Sequence, residues 1–155
     1  METITIKQLL EKLSIKGISF YLLRISQLLQ VNMAQESILS LGKQSFHTGI
    51  DLVGSKGSNV LCVKYGEVTW AGWQNGYGNC VEVMHTKEDG EVFYTFYAHM
   101  RDNSICVTKG EVVNEGQVIG IQGSTGNSTG DHVHFEIRLA DKSTINPAPY
   151  LFSEM

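Results

Sequence analysis

His132 and His134, with Val133 between them in the run Gly126-Asn-Ser-Thr-Gly-Asp-His-Val-His-Phe-Glu136, are the residues of this chain best suited to chemistry. In an extended strand, residues two apart point to one face. The two imidazoles therefore project together, while Val133 and Phe135 turn to the opposite, buried face. Such a pair suits a metal site in which one ring is a ligand and the other an acid/base group. A second element, His47-Thr48-Gly49-Ile50-Asp51, adds an imidazole and a carboxylate. Both are competent zinc ligands, and with one of the paired histidines they make the set of three that a catalytic zinc site needs, the fourth position being left to water. His99, closing the alternating aromatic run Val92-Phe93-Tyr94-Thr95-Phe96-Tyr97-Ala98, is a third element. Each element taken alone has a plainer reading, as a solvated or strand-end residue. Together they use four of the five histidines.

The elements that must position these residues read as strands. Short β-branched or aromatic runs alternate with glycine-rich turns over 60–63, 67–73, 80–85, 92–99, 118–122 and 132–138, the pattern of an antiparallel all-β domain. Gly49 followed by Ile50 favours a bent strand or loop for the His47 segment. Lys87-Glu88-Asp89-Gly90 reads as a hairpin turn. Pro147 and Pro149 end the last element. Asn127, Ser128 and Thr129 are expected to hold the turn into the 132–138 strand. Glu136 shares the face of His132 and His134 by parity, and no HExxH helix accompanies it. Its expected role is therefore behind a metal ligand or purely structural, rather than as the base. His85, beside the charged hairpin, reads as an ordinary strand-end residue. Tyr94 and Tyr97 read as strand packing.

Fifteen of the sixteen glycines lie from Gly42 onward, and this boundary divides the chain into a helical N-terminal extension over 1–40 and a β-domain over 41–155. Residues 6–13 and 18–31 carry apolar side chains at helical spacings, broken near Gly17, and predict two helices that pack on the domain or on a partner protein. Lys16, Arg24, Gln27 and Gln30 interrupt the apolar run, well short of the ~20 residues a transmembrane span needs. A basic start, clean apolar stretch and small-residue cleavage site of a secretory signal are not recognisable. At 155 residues the chain is one domain in size, and 42% hydrophobic against 18% charged residues fits a compact globular protein. A net charge of -4 gives no basic footprint for nucleic acid or an anionic membrane. Cys62, Cys80 and Cys106 show no CxxC spacing and imply no disulfide framework.

From about Leu41 to Leu151 the sequence closely resembles the lysostaphin-like (LytM-type) zinc endopeptidase family, whose members cut peptide bonds in bacterial peptidoglycan. The family's HxxxD motif stands as His47-Thr-Gly-Ile-Asp51, and its YxHL-type motif as Tyr97-Ala98-His99-Met100 with Met for Leu. Its GSTGNSTGPHLHFE-type motif stands as the run Gly123 to Glu136, with Asp131 for Pro. Gly76-Tyr77-Gly78-Asn79, Gly116-Gln117-Val118-Ile119-Gly120 and Asn146-Pro147-Ala148-Pro149-Tyr150 add weaker marks. The resemblance implies one zinc ion held by His47, Asp51 and His134, with His99 and His132 catalytic and His132 favoured as general base. It implies a peptidoglycan peptide as substrate and action on the cell wall, outside the cytoplasm. Release by lysis, virion assembly or membership of a larger machine would then take the place of a signal, and a phage or mobile-element lysin fits that delivery. Relatives that act as inactive binding or activator modules usually lack a ligand, whereas this chain keeps all of them. The segment Ser40 to Phe46 is shorter than the family's usual entry to HxxxD, which implies a more open groove on that side.

Overall fold

The computed structural model describes residues 48–147. The two helices expected within 1–40, and His47, lie outside the described residues. The described residues form nine strands and no helix: β1 Ile50–Leu52, β2 Asn59–Leu61, β3 Gly66–Gln74, β4 Gly78–Thr86, β5 Val92–Met100, β6 Val112–Val113, β7 Val118–Ile121, β8 Val133–Leu139 and β9 Thr144–Ile145. Seven of them make one sheet in the order β1-β8-β5-β4-β3-β6, with β9 on β8, and β2 and β7 make a second, two-stranded sheet. Every pairing is antiparallel. This is the mainly β, antiparallel architecture that the sequence predicts for the domain.

Strand β8 shows how the sequence builds two unlike faces. Val133, Phe135 and Ile137 point one way and are fully buried. They pack with Ile50 and Leu52 of β1, Val68 of β3, Val81 and Val83 of β4, Phe93 and Tyr97 of β5, and Val60 and Ile119 of the small sheet. Burial of side chains of this size contributes about 1.5–3 kcal/mol each. His134, Glu136 and Arg138 alternate to the other face. The register sets His134 between Asp51 of β1 and Ala98 of β5, and Glu136 beside Phe96. Phe96, Ala98 and Cys80 form a small apolar cluster on that second face, with Tyr77 against it.

The turn between β4 and β5 is the expected hairpin. Lys87 N–H donates to the Glu91 carbonyl at 2.8 Å, and Gly90 takes the left-handed φ of 87° that the tight turn requires. Buried polar groups find partners on the core face too. The Tyr97 hydroxyl accepts the Val63 N–H at 3.0 Å, so Tyr97 also anchors the segment after β2. A register shift between Val68 and Trp70 is the only irregularity of the β3–β4 pairing, so Trp70 and Trp73 fall on opposite faces. Cys62 and Cys80 are buried free thiols, and Cys106 is exposed.

Candidate active site

Asp51 and His134 are directly opposed in the β1–β8 register, and this pairing brings the Asp51 Oδ1 to 2.9 Å from His134 Nδ1. The other ring nitrogen, Nε2, lies 2.9 Å from Oε1 of Glu136, two residues along the same strand. Glu136 is completely buried. Its Oε1 also accepts from the Tyr77 hydroxyl at 3.0 Å and from Thr48 Oγ1, while Oε2 accepts from Arg138 Nε at 2.7 Å. Burial opposes its ionisation, yet hydrogen bonds from His134 and Thr48 and the Arg138 charge hold its carboxyl down at about 2. An ionised Glu136 makes Nε2 the protonated nitrogen, because a carboxylate only accepts. The Nδ1 lone pair then faces Asp51 Oδ1, and two acceptors at this distance repel unless a positive charge lies against both. A proton or a metal cation satisfies that demand. The protein's own response has the same sign: burial pulls the His134 pKa down, but the Asp51 and Glu136 hydrogen bonds outweigh it and raise it to about 9.

Two more histidines converge on this point. His132 Nε2 is 3.7 Å from Asp51 Oδ1, and the His99 ring lies 4.7 Å from that of His132 and 6.0 Å from that of His134. Both have an assigned tautomer. His132 Nδ1 donates to the Gly130 carbonyl at 2.7 Å, with Ser128 Oγ at 3.2 Å, and His99 Nδ1 donates to the Thr125 carbonyl at 2.7 Å. In each neutral ring the lone pair is therefore on Nε2. Burial, with the neighbouring His132 and His134, lowers the His99 pKa although the Thr125 bond raises it.

His99 takes a left-handed φ of 60°, an uncommon backbone state for a side chain beyond glycine. Two loops hold it there. The Tyr77 carbonyl accepts the His99 N–H at 2.8 Å, and Thr125 fixes the ring. Those loops are in turn stapled together by Asn79 N–H donating to Thr125 Oγ1 at 3.1 Å. Gly78 permits the contact: its φ is +68°, and a Cβ there would stand 2.5 Å from the Thr125 backbone carbon.

Of the five residues singled out for the site, Asp51, His99, His132 and His134 meet at one end of the large sheet, and His47 lies outside the described residues. Among the described residues alone, no group of three or more His, Cys, Asp or Glu side chains is arranged to hold a metal. The donor chemistry of Asp51 and His134 fits a divalent cation, with His47 as the expected third ligand. Three participants escaped the sequence reading. Thr48, Tyr77 and Arg138 all close on Glu136, from a loop, a turn and the same strand. The parity of Arg138 with His134 and Glu136 was available as a signal. Thr48 and Tyr77 had none beyond lying in motifs already noticed. His85 is a strand-end residue as expected, but it is buried on the core face with Nδ1 2.9 Å from the Tyr65 carbonyl and Nε2 2.7 Å from Thr95 Oγ1.

Known proteins share this arrangement of chain. The profile of Peptidase family M23 matches residues 45–147. The chain is 39% identical over 101 residues to the DD-carboxypeptidase/endopeptidase Mpg of Neisseria meningitidis, covering 65% of this chain and 22% of that protein. It is 38% identical over 104 residues to the murein hydrolase activator NlpD of Escherichia coli, covering 66% of this chain and 25% of that protein. The chain thus spans about a quarter of these relatives' length. Among solved structures, the antimicrobial peptidase lysostaphin from Staphylococcus simulans superposes with a TM-score of 0.61 at 32% identity, over 71% of this chain and 45% of that one. A zinc-containing peptidase from Vibrio cholerae superposes with a TM-score of 0.55 at 32% identity, over 64% of this chain and 28% of that one. The matched stretch carries the strands and every candidate site residue, and on that ground the chain belongs to peptidase family M23, with the lysostaphin-like peptidoglycan hydrolase fold.

Proposed function

We propose that this chain is a zinc endopeptidase that hydrolyses peptide bonds in peptidoglycan crosslinks or stem peptides, outside the cytoplasm. One zinc ion would be held by His47, Asp51 and His134. The observation that carries the reading is the 2.9 Å approach of Asp51 Oδ1 to His134 Nδ1, flanked by two histidines of fixed tautomer. When bound there, zinc supplies Lewis acidity, bringing the pKa of a water in its grasp toward ~7.

The remaining work falls to the chain's own residues. Asp51 and His134 orient the site, and Glu136 keeps the His134 ring from turning. His132, held two residues before His134 at the entry to β8, is the choice for general base. Its Nε2 lone pair takes a proton from the attacking water and returns it to the leaving amine. His99, gripped through its backbone and its Nδ1, would hydrogen-bond the charge that develops on the scissile carbonyl oxygen. The match to a murein hydrolase activator favours a second reading, in which the chain binds the wall and stimulates another hydrolase.

Digestion of purified cell walls, with mass spectrometry of the soluble fragments, separates the two. Walls with glycine bridges and walls with direct D-alanine–diaminopimelate links should both be tried. The endopeptidase reading expects new amino and carboxyl termini within the peptides of at least one wall. Zinc-loaded protein that binds walls and releases nothing from either would favour the activator.

A further inference from the structure

A line of alternating charge leads away from His134 across the site face: Glu136, Arg138, Glu82, Lys142. Arg138 is its centre. Its Nε donates to Glu136 Oε2 at 2.7 Å and its Nη1 to Glu82 Oε2 at 2.8 Å, while its Cζ lies 3.8 Å from the centroid of the Phe96 ring. The guanidinium is thereby held at two edges and one face. Glu82 is itself fixed, with Lys142 Nζ at 2.6 Å and Thr69 Oγ1 at 2.8 Å from its Oε1. The Lys142 ammonium in turn sits 3.1 Å from the centroid of the Tyr94 ring.

The consequence falls on Glu136. With Oε2 committed to Arg138, its carboxylate plane is set, and Oε1 alone meets His134 Nε2, Tyr77 and Thr48. A carboxylate anchored at one oxygen only is free to rotate about its last torsion, which is broad and shallow. Rotation would exchange the oxygens and loosen the His134 ring, whose Nδ1 must point at Asp51. A planar, forked cation that grips two carboxylates at once prevents this, and an ammonium cannot copy it.

We propose that Arg138, braced by Glu82, is a positioning residue for the metal site: it locks Glu136 so that the His134 ring presents Nδ1 toward Asp51. This rests on the zinc reading above. The competing role is purely structural, as the counter-charge that a buried carboxylate needs.

The test compares full-length wild type, Arg138→Lys and Glu82→Gln, each stripped and reloaded with zinc. The zinc dissociation constant is read by competition with a chromogenic chelator, and melting temperature is read with and without zinc. Arg138→Lys keeps the charge and loses the fork. Positioning predicts zinc binding weakened about tenfold, the lower end for partners behind a metal ligand, and a smaller zinc-induced rise in melting temperature. Glu82→Gln should move both readouts in the same direction and by less, and it serves as the measurement should Arg138→Lys not fold. Unchanged zinc affinity in the folded variants, with metal-free and zinc-loaded forms destabilised equally, would overturn the proposal. A wild-type protein that binds no zinc would instead remove the zinc reading, and this proposal with it.

Discussion

His85 and His134 are 0% and 5% exposed, in two strands of one sheet, and their surroundings drive them in opposite directions. His85 points to the core face, where its partners are a carbonyl and a hydroxyl and the Phe93 ring lies 4.9 Å away. Desolvation wins there and lowers its pKa to about 4. Its Nδ1–H donates to the Tyr65 carbonyl, and among the described residues no carboxylate stands against either nitrogen to favour a charged ring. His134 points to the site face, where a carboxylate stands at each nitrogen. The charge partners win there and raise its pKa to about 9. Burial alone therefore does not define a buried histidine's role. One face of this sheet is built to exclude positive charge, and the other to attract it.

The largest expected effect breaks the apolar face. Phe135→Ala empties the centre of β8 on the core side and should cost about 3–5 kcal/mol, read as a lowered urea midpoint. A loss under 1 kcal/mol would mean that the core does not depend on this strand. On the opposite face, His132→Ala and His99→Ala should each retain zinc and the wild-type melting temperature within a few degrees. Each should lose about 10²–10⁴-fold in wall hydrolysis, the range of general acid–base catalysis. Near-wild-type turnover in both would dismiss the assigned roles.

The comparison is sharpened by pH. Above the ordinary value of 6.5, His85 is neutral whether folded or unfolded and contributes no pH dependence. As pH falls from 6.5 toward about 4, the unfolded chain takes up a proton that the folded core refuses, so stability is lost. The loss from this one group is about 3 kcal/mol at most. Urea titrations across that window should show it, and His85→Gln, less stable at neutral pH, should show a shallower decline. A decline of equal depth in the variant would assign it to other groups. The smallest effect is expected from Tyr77→Phe, which removes one of the donors to Glu136. It should cost about 1 kcal/mol and leave the His99 N–H bond intact, because that bond uses the Tyr77 carbonyl.

Much of this contrast was legible in the chain. Period-two alternation and glycine boundaries gave β3, β4, β5, β7 and β8 to within a few residues, and placed His134, Glu136 and the core residues of β8 on their correct faces. The run at 60–63 likewise marked β2, and β1 falls in the segment read as a bent strand or loop, whereas β6 and β9 were missed because two residues cannot display a period. The depth of His85 was missed because a histidine next to a charged hairpin looks solvated. Its burial depends on β4 pairing with two neighbours, which no local pattern records. The left-handed turn of His99 was equally hidden, since the loops that hold it come from 76–79 and 123–126. The meeting of Thr48, Tyr77 and Arg138 on Glu136 is likewise a property of strand order, not of spacing.

Zinc stoichiometry tests the central claim most directly. Wild-type protein, His134→Ala and His85→Gln would be reloaded with zinc, freed of excess metal and analysed by atomic emission. The account predicts about one zinc per chain in wild type and in His85→Gln, and close to none in His134→Ala. Full occupancy in His134→Ala, or loss of zinc in a folded His85→Gln, would contradict the division of the sheet into a charge-excluding and a metal-holding face.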